Sequence, residues 1–508
     1  MPSEATAGMT LGELQAAGID GRIIGSAAQR VSGVQHDSRG VRSGDLFVAV
    51  PGATHDGVRF AADAVARGAV AVMAESEVDS RVPQLIVSDA RRMLGRAAEL
   101  VYGSPSSALR TVGITGTNGK TTTAYLLKQG IEGAGGRAAL IGTTGLIVGN
   151  SERSGLHTTP EGDDISRFAR ESADRGATHL VLEVSSHGLS LQRVDALRFQ
   201  VAAFTNLSQD HLDFHGDLRA YGEAKARLFT QLGPTFSVIN VDDAFGAALA
   251  ERSSGRVIRC SRRADAEAEI VAMQWSATRE GIRAEVRTPA GALSLRSPML
   301  GEHNLENILV ALGCAHALDL DLERVAAAWE TAAGSPGRLE RVPHPGDVAV
   351  LVDYAHTPDA LERVLDTMRQ VTARRLFVVF GAGGDRDKGK RREMGRIGVE
   401  RADLCVLTSD NPRTEDPRAI LAEVEAGARA AGAERVALES LPTATRGYCS
   451  VLDRRAAIQA TIGAATAGDT VLLAGKGHET YQILGEERTH FDDREEARAA
   501  IAAQGGAV

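Results

Sequence analysis

Residues 113–122 read Gly-Ile-Thr-Gly-Thr-Asn-Gly-Lys-Thr-Thr, and the chemistry they suit is the holding of a nucleotide's phosphates. The apolar run ahead of them reads as a strand, and Ala124-Tyr125-Leu126-Leu127 behind them as the first turns of a helix. Glycines in such a turn let backbone N–H groups reach phosphate oxygens, and the helix N-terminus adds a favourable dipole. Lys120 would then reach the β- and γ-phosphates and the Thr121 hydroxyl would ligate Mg²⁺. Gly116, Thr117, Asn118, Gly119 and Thr122 complete the loop. The spacing departs from the usual pattern once: Ile114 stands where a glycine is expected, and glycines fall at 113 and 116.

Further polar residues sit where apolar runs end. Glu183, after Leu180-Val181-Leu182, is a candidate for direct Mg²⁺ ligation. His211, in Asp210-His211-Leu212-Asp213, could serve a second metal or its water shell, or be a hydrogen-bonded structural histidine. The i,i+4 spacing of His211 and His215 hints at zinc, but no zincin motif accompanies it and zinc is disfavoured. Arg193, Arg338, Arg386, Arg391 and Arg413 lie in Gly- or Pro-punctuated stretches or beside strand ends, and their forks suit carboxylate and phosphate. Asp37-Ser38-Arg39 reads either as a ligand-facing loop or as a capping turn.

The elements that must position these residues follow from length and pattern. A chain of 508 residues is too long for one core. Strands alternating with helices predict three α/β domains. These are a small N-terminal domain (1–107), a central phosphate-loop ATPase domain with a mostly parallel sheet (108–337), and a C-terminal Rossmann-like domain (338–508). Residues 268–297 alternate in a manner that predicts an antiparallel strand insertion, and residues 301–318 a long apolar helix with Asn304 and Asn307 on one face. In the third domain apolar runs deliver Asp353, Gly381-Ala382-Gly383-Gly384-Asp385-Arg386, Asp410-Asn411-Pro412-Arg413 and Gly475-Lys476-Gly477-His478-Glu479. In open α/β sheets ligands bind at that edge.

A formal charge of −9 argues against a protein built to hold nucleic acid. The cysteines, Cys260, Cys314, Cys405 and Cys449, are scattered and read as buried thiols. No signal peptide and no membrane span is apparent, so a cytoplasmic location is expected, with no membrane or nucleic-acid partner.

Read together, Gly-Thr-Asn-Gly-Lys-Thr-Thr (116–122), Glu-Val-Ser-Ser-His-Gly-Leu (183–189), Thr-Asn-Leu-Ser-Gln-Asp-His-Leu-Asp-Phe-His-Gly (205–216), Gly-Glu-His-Asn-Leu-Glu-Asn (301–307), Gly-Arg-Leu-Glu (337–340) and Asp-Tyr-Ala-His-Thr-Pro-Asp (353–359) resemble the Mur ligases, from Asp37 to the Phe-Asp-Asp-Arg run at 491–494. The resemblance implies an ATP- and Mg²⁺-dependent amide ligase of peptidoglycan precursors, acting through an acyl phosphate, and a monomer. It assigns Lys120 to phosphate, and Thr121, Glu183 and His211 to metal. Asn304, Asn307, Arg338 and Asp353 fall to ATP, and Ser38, Thr158, Thr159, Ser185 and Arg193 to a UDP-muramoyl dipeptide. Family members carbamylate the lysine at the position of Lys225 with CO₂, giving an N6-carboxylysine that serves metal and dipeptide. Asp410-Asn411-Pro412-Arg413 resembles the form that adds meso-diaminopimelate, with Arg413 taking the distal carboxylate, Glu479 the distal ammonium, Gly475 contributing backbone and Arg391 contacting the near carboxylate. Leu191 and His157 depart from the Gln and Asn common in relatives. The alternatives are an L-lysine-adding version, a folylpolyglutamate synthetase, or a non-catalytic nucleotide-gated binder.

Overall fold

Buried apolar strands set the architecture of the computed structural model, which describes residues 8–52, 56–153, 155, 157–332 and 334–505. The chain forms two compact units, one made of Met1–Gln274, Glu285–Leu295 and Leu305–Trp329, the other of Trp275–Ala284, Arg296–Asn304 and Glu330–Val508.

Besides the two-stranded pairing of Met9–Thr10 with Arg30–Val31, two larger sheets organise the described residues of the first unit. In the smaller, five strands lie in the order Gly21–Ile24, Gln84–Val87, Ala71–Ala74, Asp45–Val48 and Gly33–Gln35, parallel except for the first. In the larger, Arg110–Thr115 lies between His179–Glu183 and Val201–Phe204, all parallel, with Ala138–Gly142 beyond the former and Phe236–Asn240 and Arg256–Ser261 beyond the latter. Phe168, Leu182, Phe204, Phe229 and their neighbours fill one face. Burial of this kind stabilises by roughly 25 cal/mol per Å² of apolar surface. Gly145–Val148 and Ser151–Arg153 beyond Ala138–Gly142, and Ile270–Thr278, Gly281–Thr288 and Gly291–Ser297 at the other end, bring this sheet to eleven strands. The strands read over residues 268–297 thus form one edge of the sheet.

The second unit is built on a six-stranded sheet in the order Glu340–Val342, Ala349–Asp353, Thr470–Ala474, Leu376–Phe380, Leu404–Leu407 and Gly447–Ser450, parallel but for its first strand. Cores on both faces confirm the doubly wound character read from the continuous apolar runs. All four cysteines are buried and free. Among the described residues no helix is long and apolar enough to cross a membrane.

Candidate active site

In the first unit, the strand Arg110–Thr115 ends in the phosphate loop and the helix Lys120–Gly133 begins at Lys120 itself. Gly119, with φ at +85°, needs glycine, and a Cβ there would fall 2.1 Å from Asn307 Oδ1. The loop is braced from the next strand end. Thr117 N donates to Asn206 O (2.8 Å), Asn118 N to Asn206 Oδ1 (3.0 Å) and Thr205 Oγ1 to Asn118 O (2.6 Å). Lys120 Nζ folds back to donate to Gly116 O and Thr117 O, each at 2.9 Å.

Glu183 closes its strand with a fully buried carboxylate. It accepts from Thr121 Oγ1 (2.8 Å), Thr143 N (3.0 Å) and Thr143 Oγ1 (3.1 Å). A buried carboxylate joined to a hydroxyl at the phosphate loop is an oxygen donor set suited to a hard divalent cation. Thr158 Oγ1 lies 3.2 Å from Thr143 Oγ1. Thr159 Oγ1 donates to Glu183 O (2.8 Å) and accepts from Ser185 N (2.9 Å). Thr143 went unnoticed in the sequence, where nothing sets it apart from other threonines near strand ends.

Lys225 sits on the helix Leu218–Thr230 but points inward, 1% exposed, and donates to Gly116 O at 2.8 Å. Its ammonium stands 4.3 Å from the Tyr221 ring centroid. Burial pushes the amine far below the usual lysine range and Lys120 pushes the same way, against Asp210. His211 caps the short helix Leu212–His215 with φ +51°. It packs against the His187 ring at 4.9 Å, while His215 Nε2 lies 3.0 Å from Ser186 Oγ.

Ser38 is buried behind its loop, and Asp37 caps the turn by accepting from Arg39 N at 3.0 Å, so the capping-turn reading is realised. This loop is tied to the segment that carries Thr158 and Thr159. His36 N donates to Asp163 Oδ2 (3.1 Å), and His36 Nδ1 lies 2.9 Å from both Asp163 oxygens. Burial alone pulls His36 down, but the bond and charge of Asp163, with Asp164 and Glu161, lift it to about 9. Arg193 is oriented by Glu161 Oε1 (2.9 Å) and Thr159 O (2.9 Å).

In the second unit, Asp353 accepts from Leu339 N and Ala355 N, each at 2.8 Å, and burial pushes its carboxyl up against the pull of Arg338. The Arg338 guanidinium lies 4.8 Å from the Tyr354 ring centroid, and Tyr354 packs against His478 at 5.1 Å. Asn304 donates to Leu300 O at 2.7 Å.

The turns after three strands converge around Asn411. Its Nδ2 donates to Glu479 Oε2 (2.9 Å), and its Oδ1 accepts from Ile483 N (3.0 Å) and Lys476 Nζ (3.3 Å). Pro412 is buried next to it. Arg413, with φ +53°, is locked by Arg413 N to Ile483 O (3.1 Å) and Gly485 N to Arg413 O (2.7 Å), and its guanidinium donates to Gly384 O (2.7 Å). Gly475, at φ +114°, leaves room beside Asp410 Oδ2, which a Cβ would approach to 2.9 Å. Glu479 is pushed up by burial and by Asp410, and held back by Lys476, by its bond from Asn411 and by Arg413.

Arg391 requires a correction. Its side chain is fully buried and bound by Glu415 (2.8 Å) and Glu423 (3.0 Å), with a further bond to Gly383 O (3.2 Å). A guanidinium so engaged is an anchor for the loop 383–391 and does not meet an incoming carboxylate. Arg386, exposed in that same loop, has Cγ 3.8 Å from where a Cβ on Gly383 would stand, and Arg413 NH1 lies 3.1 Å from that point. Arg386 therefore shares the neighbourhood of Arg413.

Comparison with known proteins matches three successive regions of the chain. Residues 30–102 match the Mur ligase family catalytic domain, residues 114–315 the Mur ligase middle domain, and residues 337–477 the Mur ligase glutamate ligase domain. The chain is 45% identical over 492 residues to the UDP-N-acetylmuramoyl-L-alanyl-D-glutamate--2,6-diaminopimelate ligase of Geobacter metallireducens, covering 94% of this chain and 95% of that one. It is 41% identical to the protein of the same name from Geobacillus kaustophilus, covering 93% and 95%. A solved structure of that name aligns with a TM-score of 0.72 at 34% identity, over 98% of this chain and 99% of the other. The MurF ligase of Thermotoga maritima in complex with ADP shares the fold, with a TM-score of 0.62 at 18% identity, over 93% of this chain and 98% of that one. With its three-domain α/β fold matched along nearly its whole length, the chain belongs to the Mur ligase family.

Proposed function

We propose that this chain is an ATP-dependent amide ligase that adds meso-2,6-diaminopimelate to UDP-N-acetylmuramoyl-L-alanyl-D-glutamate. The observation that carries the reading is the cluster in the second unit, where the charges of Asp410 and Arg413 both act on the buried Glu479 carboxylate and Asn411 donates to it. A guanidinium in one cluster with carboxylates complements the carboxylate-and-ammonium end of a diamino acid. L-lysine lacks the distal carboxylate and would leave Arg413 unmatched, which favours the diaminopimelate reading.

The chemistry divides among residues already placed. Lys120 and the loop N–H groups hold the β- and γ-phosphates in line with the D-glutamate side-chain carboxylate. One carboxylate oxygen attacks the γ-phosphorus and the bond to ADP breaks, leaving an acyl phosphate. Arg193, fixed by Glu161 and Thr159, with Ser38, Thr158, Thr159 and Ser185, orients the dipeptide. Asn304, Asn307, Arg338 and Asp353 hold the nucleotide. The amine then attacks the acyl carbon, the C–O bond to phosphate breaks, and the amine releases its proton. Thr121, Glu183, His211 and Lys225 as its carbamate would hold Mg²⁺, which when bound neutralises phosphate charge.

The lysine's setting suits a carbamate. Burial and Lys120 lower the amine's proton affinity, and in its neutral form it can add to CO₂: nitrogen bonds carbon, one C=O pair moves to oxygen, and the nitrogen's proton passes to solvent. For the near carboxylate of diaminopimelate, Arg386 takes the place first given to Arg391. The test is phosphate release with ATP and the UDP-dipeptide, comparing diaminopimelate with L-lysine. Release that needs diaminopimelate supports the reading; release with neither amine, or equally with both, overturns it.

A further inference from the structure

Lys476 has no task in the mechanism above, yet it lies at the centre of the amino-acid cluster. Its side chain is 0% exposed, in the turn that follows the strand Thr470–Ala474. Nζ is 3.3 Å from Asn411 Oδ1, 3.6 Å from Glu479 Oε2 and 3.7 Å from Asp410 Oδ1. Among the described residues, Asp410 Oδ1 is itself buried without a hydrogen-bond partner and pairs with this ammonium across that gap. A lysine is driven into a protein interior only where charge repays its lost hydration. Here the repaying groups are the very ones assigned to the substrate.

We propose that Lys476 is a positioning residue for the amino-acid substrate: it draws Asp410, Asn411 and Glu479 into one cradle and leaves them a single net negative charge for the distal ammonium. The proposal rests on the reading of this cluster as the diaminopimelate site. Lys476 is too deeply buried to touch the substrate and acts through its neighbours. The charged and titratable groups that face Glu479 are Asp410, Lys476, Arg413, Arg454, Tyr354 and Tyr481. Of these, the cations Lys476, Arg413 and Arg454 act to keep Glu479 ionised, Lys476 more strongly than Arg413. Without Lys476 two carboxylates confront each other in a dry setting, and one of them takes up a proton. A protonated Glu479 no longer offers the anion that an ammonium requires.

The test uses the full-length enzyme and steady-state phosphate release. Lys476→Met keeps the length of the side chain and removes its charge. The expected result is a rise in KM for diaminopimelate of about tenfold or more, with KM for ATP and for the UDP-dipeptide unchanged. The acid limb of kcat/KM for diaminopimelate should also move to higher pH. An unchanged diaminopimelate KM and pH profile overturns the proposal. Should Lys476→Met not fold, Lys476→Gln, which keeps a donor for Asn411, carries the same two readouts. If neither folds, Lys476 is a residue of the core and the proposal fails. Glu479→Gln separates the two levels. If it raises diaminopimelate KM while Lys476→Met does not, only this proposal falls; if it changes nothing, the assignment of the amino-acid site falls first and takes this one with it.

Discussion

Lys120 and Lys225 donate to the same acceptor, the carbonyl oxygen of Gly116, at 2.9 and 2.8 Å. Two amines converging on one carbonyl repel each other when both are charged, and the buried one yields. That relationship lowers the proton affinity of Lys225, and a CO₂ adduct on it would turn repulsion into attraction. Lys225→Ala is expected to lower kcat by about a hundredfold or more, the scale for losing a group that organises charge at the reacting centre. Labelled bicarbonate should give a carbamate carbon resonance in the native protein that the variant lacks. Full activity of the variant, or no such resonance, refutes the role.

Glu183 accepts from Thr121 and from both donors of Thr143, so its carboxylate is aimed before any cation arrives. Glu183→Gln keeps the shape and loses the charge. The Mg²⁺ concentration for half-maximal phosphate release should rise about tenfold or more, with kcat falling as well. A Mg²⁺ dependence like that of the native enzyme would exclude Glu183 as a ligand.

Arg413 offers a fork, and its backbone is clamped by Ile483 and Gly485. Arg413→Lys retains the charge and loses the bidentate geometry. Both it and Arg413→Ala should weaken diaminopimelate, the alanine variant by about a hundredfold in kcat/KM, while KM for ATP stays put. Isotherms for diaminopimelate and for ATP check the split, and parallel losses in both would point to misfolding instead.

His36 supplies a pH signature outside the reaction. Its folded value, about 9, is raised above the ordinary 6.5, so the stabilisation from Asp163 is complete below about 6.5 and is lost as pH rises through 9. The stability gap between the native protein and His36→Gln should be on the order of 2 kcal/mol near neutrality and should close toward the alkaline end. Urea unfolding across that range measures it. A gap that stays constant with pH would mean that the pair is held by hydrogen bonding alone. Because the pair joins the Ser38 loop to the Thr158–Thr159 segment, the variant should also raise KM for the UDP-dipeptide.

How much of this was legible in the sequence depended on how local each signal was. The phosphate loop, the strand-end carboxylates and the 410–413 turn are short-range patterns: apolar runs fix where strands stop, and the residues just beyond must face the ligand edge. Nothing local marked Lys225 as buried, because helix propensity carries no information on which face packs. Arg391 and Arg386 looked alike in one Gly- and charge-rich stretch. What separates them is Glu415, in the turn ahead of the helix Pro417–Ala430, and Glu423 on that helix, which take only the first. His36 and Asp163 are 127 residues apart, and no periodicity links them. Residues 268–297 showed their alternation but not the sheet they join, since pairing partners are set by tertiary packing.

Arg454 and Asp493 form a pair with no exposure on either side, 2.6 Å apart. The same guanidinium donates to Ala474 O at 3.0 Å and to Ser409 O at 3.5 Å, just before the turns that carry Gly475 and Asp410. Asp493 opens the last described helix, Asp493–Gly505. Loss of this helix would strip a buried cation of its counter-ion and loosen both turns at once. A lesion there would thus behave genetically like one in the catalytic centre, though it removes no atom that meets a substrate.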